Sequence, residues 1–196
     1  IEEAMNDLAN SIGKLKGVSK VCTVGEFARK MEVIEVVEWL VSTDDPSEVM
    51  IQLNDLKTLS QEKKLSSPFK WRGKLLEPEV SLVIHFSGRD NFTVEKMLRT
   101  GSKAHLLYPL EDNKTLVEIL REEKGADTEE AVYEKAGLPW IPEELREGYF
   151  EMEWVKTNKV ESLLEEKDLK GILHNHSTYS DGKHTLSQMA VYCKEL

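Results

Sequence analysis

Residues 33–42, VIEVVEWLVS, restrict the fold of this chain more than any other segment. The run is rich in β-branched side chains and almost continuously apolar, a pattern that predicts a buried strand. Only Glu35 and Glu38 interrupt it. The fold must therefore contain a sheet, and two acids on a buried strand require an explanation.

Shorter signals on either side predict further strands and helices. Residues 18–24 and 80–86 are short apolar runs typical of strands. Asp45, the proline after it and Glu48 have the form of a helix N-cap, a first-turn proline and a capping-box acid, so we expect a helix from there to about Lys57. Two more helices are predicted at residues 2–15 and 92–101, the second ended by a glycine.

From residue 114 onwards the pattern is mainly helical. KTLVEILREEKG and DTEEAVYEKAG each show a helical period that stops at glycine, and a capping box from Asp127 to Glu130 is predicted to open the second. Near residue 168 the pattern changes again, because LKGILHNHS is typical of a strand that ends in histidines. Strands mixed with helices, followed by a helical half, predict an α+β fold with boundaries near residues 105 and 168.

Composition limits the classes of protein to which this chain can belong. With 196 residues, 40% of them hydrophobic and 32% charged, it is typical of a globular chain of one large or two small domains. It has no apolar run of the roughly 18 to 20 residues that a membrane span needs and no leader-like start, so we expect a cytoplasmic protein without a membrane partner. Cys22 and Cys193 are far apart, which predicts reduced thiols. The chain starts at Ile1, and we expect it to be part of a longer polypeptide.

The net charge of −10 is concentrated in the second half. Residues 106–196 carry 20 acidic and 11 basic side chains. Nucleic-acid binders usually present a basic surface, because phosphate contacts dominate their affinity. We therefore expect this chain on its own to bind DNA only weakly.

Four stretches follow one another in the order STDDPSEVM (42–50), RTGSKAH (99–105), TEEAVYEKAGLPWIPEELREG (128–148) and DLKGILHNHSTYSDG (168–182). Together they resemble the bacterial and archaeal family X DNA polymerases that carry a C-terminal PHP (polymerase and histidinol phosphatase) domain. The resemblance implies a nucleotidyltransferase-type palm with a mixed or antiparallel sheet, a mostly helical thumb and one βα unit of a PHP domain. It assigns residues 1–17 to the last helix of the fingers, 18–105 to the palm, 106–167 to the thumb and 168–196 to a truncated start of the PHP domain.

The palm of this family carries a Gly-Ser pair, an arginine that binds the triphosphate, an Asp-x-Asp pair and a third aspartate on a neighbouring strand. Carboxylates are needed there because two divalent ions hold the attacking hydroxyl and the triphosphate. With the match anchored at Gly25, the resemblance places Arg29 at the arginine and Glu26 at the serine. The aspartate positions fall on Val36 and Glu38, and the neighbouring strand VSLVIHF contains no acid.

These departures disfavour a catalytic palm. Loss of the carboxylates removes the ions that supply much of the charge stabilisation in the transition state. Glu26 also adds negative charge where a triphosphate would bind. Mg²⁺ at the palm is therefore disfavoured, and Glu35 and Glu38 are interpreted as solvent-facing acids; the alternative is that Glu38 still holds one metal ion.

The TGS turn at residues 100–102 resembles the segment between palm and thumb that lies beside the nucleotide in this family. The two aromatic residues that usually precede it are replaced by Leu98 and Arg99. The turn is interpreted as structural, and Arg29 as a surface ion pair. The alternative is a residual, weak contact with a nucleotide or DNA by members of the set Gly25, Arg29, Arg99, Thr100, Gly101, Ser102 and Lys103.

Three side chains near the C-terminus are the candidates for metal ligands. An HxH pair on a strand places both imidazoles on one face, where they can share an ion. The resemblance identifies His174, His176 and Asp181 with PHP ligands that, with others absent from this chain, hold up to three ions for phosphoester hydrolysis. We expect Zn²⁺ or Mn²⁺ at the complete site of the longer protein, and no ion bound tightly by this chain alone. Ile172 stands where the family has an acid, and His184 is interpreted as a surface residue.

Three functions remain open from the sequence. The longer protein is a DNA-repair polymerase and nuclease of family X; or its palm is a degenerate nucleotidyltransferase that positions DNA or acts as a scaffold for a metal-dependent PHP hydrolase; or it is a PHP phosphatase that acts on small phosphoesters. Val36 and the acid-free VSLVIHF favour the second. The partners expected are DNA, bound weakly, and the rest of the same polypeptide, with its fingers, helix-hairpin-helix region and remaining PHP domain.

Overall fold

The structure is a computed structural model that describes residues 2–110, 113–123, 125–160, 164–171 and 174–195. It divides into two compact units, residues 1–160 and 161–196. The first unit contains a sheet and most of the helices, and the second contains one long helix preceded by turns. The α+β class predicted from the sequence is confirmed.

A five-stranded mixed sheet forms the centre of the first unit. Its order is β1-β2-β5-β4-β3; β2 and β5 are parallel, and the other neighbours are antiparallel. The predicted strands at residues 18–24 and 80–86 are confirmed. The strands are β1 (Val18–Val24), β2 (Val37–Thr43), β3 (Leu59–Gln61), β4 (Lys70–Leu75) and β5 (Val80–Ser87).

The central strand β2 is shorter than the sequence pattern predicts. Its pairing with β5 begins at Val37, and residues 33–36 lie outside the sheet. Val33 is 79% exposed, so the apolar pattern did not reflect burial there. The predicted strand at 33–42 is thus wrong over its first four residues, because no neighbouring strand extends far enough to pair with them.

The helices begin and end close to the predicted positions. Asp45 accepts a hydrogen bond from the backbone N–H of Glu48 at 3.1 Å, which confirms the predicted N-cap. The helices are α1 (Glu2–Gly13), α2 (Gly25–Ala28), α3 (Pro46–Asp55), α4 (Phe92–Thr100), α5 (Lys103–Leu106), α6 (Leu116–Glu122), α7 (Glu129–Lys135), α8 (Glu151–Thr157) and α9 (Leu186–Glu195). None of these described helices has the length and hydropathy of a membrane-spanning segment.

Two local predictions are corrected. Helix α7 is capped by Thr128, whose hydroxyl accepts from the N–H of Ala131, and not by Asp127. The capping box of this half lies instead at Thr115 and Glu118, at the start of α6. The predicted strand before the histidines includes Ile172 and Leu173, which lie outside the described residues, and residues 174–177 are not in a strand.

The sheet buries different residues on its two faces. On β2, Val37, Trp39 and Val41 pack with α1 and α3 in the larger core. Leu40 points to the opposite face and packs with Val24 and Phe92. Burial of a side chain of this size stabilises a fold by about 1.5–3 kcal/mol, so both faces contribute to stability.

Helix α4 belongs to two cores. Its first residue, Phe92, packs against the sheet, whereas Val94 and Met97 pack among the helices α6, α7 and α8. The second core is centred on side chains such as Leu120 and Val132, which have no exposed surface. The helical region is therefore attached to the sheet region through α4.

Candidate functional site

A cleft of about 440 Å³ lies between the loop before β2, helix α2 and the turn that joins α4 to α5. It brings together two sequence segments that lie about seventy residues apart, those that resemble the palm motif and the TGS turn. Among the residues predicted to contact a nucleotide or DNA, Thr100 does not line the cleft. The lining residues are Gly25, Glu26, Arg29, Glu35, Val36, Glu38, Arg99, Gly101, Ser102 and Lys103.

Gly25 sets the direction of helix α2 at the cleft. Its φ is +68°, a conformation that L side chains rarely adopt. This turn begins α2 directly after β1, so Glu26 and Arg29 both reach the cleft. A glycine is required at this position for its backbone conformation.

Glu38, which lines the cleft, is hydrogen bonded to His85 of the neighbouring strand β5. Glu38 Oε2 and His85 Nε2 are 3.2 Å apart, and the two side chains are 37% and 12% exposed. The bond from His85 lowers the pKa of the Glu38 carboxyl from its usual value, although burial opposes this shift. The sequence interpretation made both Glu35 and Glu38 solvent-facing acids. Glu35 is exposed, but Glu38 is also engaged by His85.

His85 is the residue of this site that sequence reasoning missed. Leu82, Ile84 and Phe86 on β5 are buried in the main core, so the residue between the last two must point to the other face. That face also carries Leu40 and Glu38 of β2. The alternation of apolar residues in VSLVIHF was the available signal.

The residues at this end of the sheet do not fit a pair of magnesium ions. Mg²⁺ sites use several carboxylate oxygens, but Val36 is apolar and Glu38 is the one acid that stands on β2. Its carboxylate is already bonded to His85. Throughout the described part of the chain, no group of three or more His, Cys, Asp or Glu side chains is arranged to hold a metal ion.

Arg29 is held by contacts with the helical region. Its Nε donates to Glu147 Oε1 at 2.6 Å, and its Nη1 donates to the carbonyl of Thr100 at 2.8 Å. The side chains of Arg29 and Glu147 are 9% and 19% exposed. Next to them, Lys30 pairs with Glu144 at 2.9 Å. Arg29 thus forms an ion pair, as interpreted from the sequence, but the pair is largely buried and not on the surface.

The turn between α4 and α5 is fixed by backbone contacts. Ser102 caps α5 by accepting a hydrogen bond from the N–H of His105 at 3.1 Å. Its own N–H donates to the carbonyl of Arg146 at 2.9 Å. Arg99 pairs with Glu95 along α4 at 2.9 Å. These contacts give the TGS turn a structural role at the junction of the two cores.

Below this turn lies a buried hydrogen-bond network around His105. His105 Nδ1 lies 2.7 Å from Glu151 Oε1, and its Nε2 lies 2.9 Å from the hydroxyl of Tyr133. We infer that Nδ1–H donates to Glu151 and that Tyr133 O–H donates to Nε2, since a carboxylate can only accept. Glu151 also accepts from the backbone N–H of Gly148 at 2.6 Å. Burial lowers the pKa of His105, consistent with a neutral ring.

A second buried polar group surrounds Arg146. Its guanidinium is 1% exposed, forms an ion pair with Glu129 and donates through Nε to the carbonyl of Ile141 at 2.9 Å. Lys96 of α4 contacts the same Glu129 at 3.1 Å. A buried charge without partners destabilises a fold. We therefore assign these contacts a role in the stability of the helical region.

The second unit brings the three PHP-like candidates into contact. The Nε2 atoms of His174 and His176 are 2.7 Å apart, and His176 Nδ1 is hydrogen bonded to Asp181. Gly182 makes this possible, because a Cβ there would lie 2.2 Å from the carbonyl oxygen of His176. The side chain of His184 is exposed.

These donor types suit Zn²⁺ or Mn²⁺, but their present arrangement does not converge on one ion. Both ring nitrogens of His176 are engaged, one by His174 and the other by Asp181. A metal ligand must offer a free nitrogen lone pair. A hydrogen bond from His176 Nδ1–H to Asp181 leaves the Nε2 lone pair available, so metal binding through Nε2 requires the contact between the two Nε2 atoms to open.

Comparison with known proteins assigns a relationship to the chain. No family model matches the sequence. It is 28% identical over 203 aligned residues to the DNA polymerase/3′-5′ exonuclease PolX of Bacillus subtilis (strain 168), and the match covers 95% of this chain. The chain is related to the family X DNA polymerases. It spans about a third (34%) of the length of that curated relative.

Proposed function

We propose that this chain is the palm, the thumb and the beginning of the PHP domain of a longer family X protein, and that its palm positions DNA or acts as a scaffold without transferring nucleotides. In this proposal residues 18–105 form the palm, 106–167 the thumb and 168–196 the start of the PHP domain. The likeness to a relative named a DNA polymerase/3′-5′ exonuclease supports a longer protein that acts on nucleic acid.

The state of Glu38 is the observation that carries the proposal for the palm. It is the one carboxylate on β2, and it is bonded to His85, which stands on β5 opposite Leu40. Nucleotidyl transfer by two metal ions needs a convergent set of negative ligands. Glu26 and Glu35 also line the cleft, but among the described residues no group of three or more His, Cys, Asp or Glu side chains is arranged to hold a metal ion. Arg29, which lies where the family binds a triphosphate, is paired with Glu147. Both features favour a palm without catalysis.

We assign hydrolysis to the complete PHP domain. His174, His176 and Asp181 would hold Zn²⁺ or Mn²⁺ there, together with ligands beyond this chain. A bound ion of this kind supplies Lewis-acid stabilisation of a phosphoryl oxygen. The three side chains would orient the ion, and the turn closed by Gly182 holds His176 close to Asp181.

A gap-filling assay and an exonuclease assay on the full-length protein test the proposal. We expect no primer extension with Mg²⁺ or Mn²⁺, and metal-dependent hydrolysis that His174→Ala abolishes. Primer extension that is lost in Glu38→Ala would instead support an active polymerase, the function named for the relative. Full hydrolysis by His174→Ala would remove the metal assignment.

A further inference from the structure

Three basic side chains line the cleft: Arg29, Arg99 and Lys103. Arg99 finds its partner on its own helix, in Glu95. Arg29 finds its partner 118 residues further along the chain, in Glu147. Three acids, Glu26, Glu35 and Glu38, also line the cleft, and the helical region adds a further acid directly at Arg29.

The contact between Arg29 and Glu147 is close and sheltered from water. The Nε to Oε1 distance is 2.6 Å, and a second guanidinium nitrogen is bonded to the carbonyl of Thr100. With side chains 9% and 19% exposed, the pair is screened less than an ordinary surface ion pair. A phosphate group that approached Arg29 would have to compete with this carboxylate.

Glu147 reaches Arg29 only while its turn is docked. The carbonyl of Arg146 accepts from Ser102 N–H at 2.9 Å. Gly148 lies so close to Ala104 that an added Cβ would be 2.4 Å from that residue's Cβ. We refer to residues 143–148 as the acidic turn. Docking of the acidic turn beside the cleft therefore places Glu147 at Arg29.

We propose that Glu147 is a built-in competitor for phosphate-bearing ligands at this cleft, and that binding of such an anion to Arg29 releases the acidic turn. The two events are coupled reciprocally, because anything that undocks the turn frees Arg29 and anything that binds Arg29 favours undocking. The coupling involves no metal and does not depend on the function proposed above.

Binding of inorganic triphosphate in the presence of EDTA, measured by calorimetry on the full-length protein, tests this competition. We expect Glu147→Gln to bind at least about tenfold more tightly than the wild type, which corresponds to about 1.4 kcal/mol. Glu147→Asp should show the same direction, because the shorter side chain loses the contact at unchanged net charge. Arg29→Gln added to Glu147→Gln should remove the gain.

Glu144→Gln is the matched control. It removes an equal charge from the same turn but leaves the Arg29 pair in place. Equal gains in Glu144→Gln and Glu147→Gln would reduce the effect to net charge and overturn the proposal, as would unchanged affinity in both Glu147 variants.

Hydrogen exchange tests the release of the turn. The amide of Ser102, which donates to Arg146, should exchange faster in the wild type saturated with triphosphate than without it. Unchanged exchange at saturation contradicts the release. Neither outcome affects primer extension or PHP hydrolysis, so this proposal and the function proposed above fail separately.

Discussion

Replacement of Glu151 by alanine should destabilise the helical region strongly. The carboxylate accepts from His105 Nδ1 at 2.7 Å and from the N–H of Gly148 at 2.6 Å, and two neighbouring amides share its other oxygen. His105 has no exposed surface, so water cannot replace its lost partner without opening the core. A buried polar group left without a partner costs about 1–3 kcal/mol, and two such groups give about 2–6 kcal/mol.

Thermal and urea unfolding of the protein measure this loss. For a chain of this size each kcal/mol shifts the Tm by about 2–4 °C, so Glu151→Ala should lower the Tm by on the order of 10 °C. Glu153→Ala is the control on the same helix, since Glu153 is 65% exposed, and we expect it to change stability by less than about 0.5 kcal/mol. A difference of about 1 °C is smaller than the effect expected from one lost hydrogen bond. If the two variants unfold within about 1 °C of each other, the argument from burial is therefore refuted.

The same carboxylate predicts a dependence on pH. Contacts with His105 and with backbone amides lower the folded-state pKa of Glu151 from its usual 4.5, against the effect of burial. A carboxyl whose pKa is lowered on folding contributes stability above its unfolded-state pKa, and this contribution is lost as the pH falls through the folded-state value. The stability difference between the wild type and Glu151→Gln should therefore be full near neutral pH and shrink below pH 4.5.

Two further predictions concern other parts of the first unit. Val36→Asp alone should bind no Mn²⁺ beside Glu38, because His85 still holds the Glu38 carboxylate. Val36→Asp combined with His85→Ala should bind Mn²⁺ there. Electron paramagnetic resonance in a His174→Ala background measures the binding, and equal spectra for the two variants would contradict this role of His85. Gly148→Ala should lower stability by more than about 2 kcal/mol, because the backbone there has φ +82° and no room for a Cβ; Gly137→Ala, with φ +70° but open space around it, should lose only about 1 kcal/mol by urea unfolding.

Local signals in the sequence predicted the elements well. Asp45 and Glu48 marked the start of α3 correctly, because a cap depends on residues only three positions apart. The position of β2 was less predictable, since apolar residues at 33–36 have no pairing partner. Thr128 replaced Asp127 as the cap of α7 because both residues suit the role, and only the backbone geometry decides between them.

The residues of the cleft were found by resemblance, but their contacts were not. Gly25 and Ser102 could be placed in one site from the order of the motifs. The bond between Glu38 and His85 joins residues 47 apart, and that between Arg29 and Glu147 joins residues 118 apart. Such pairs depend on how strands and helices pack, which periodicity does not report. These two contacts engage one acid and one base that line the cleft.

Helix α4 determines how the first unit can be divided. Because Phe92 packs under the sheet while Val94 and Met97 fill the helical core, a cut after residue 105 would leave apolar surface of α4 in water on one fragment and an empty groove on the other. The sheet region and the helical region should then melt in a single cooperative transition. A boundary between functions need not be a boundary between folding units.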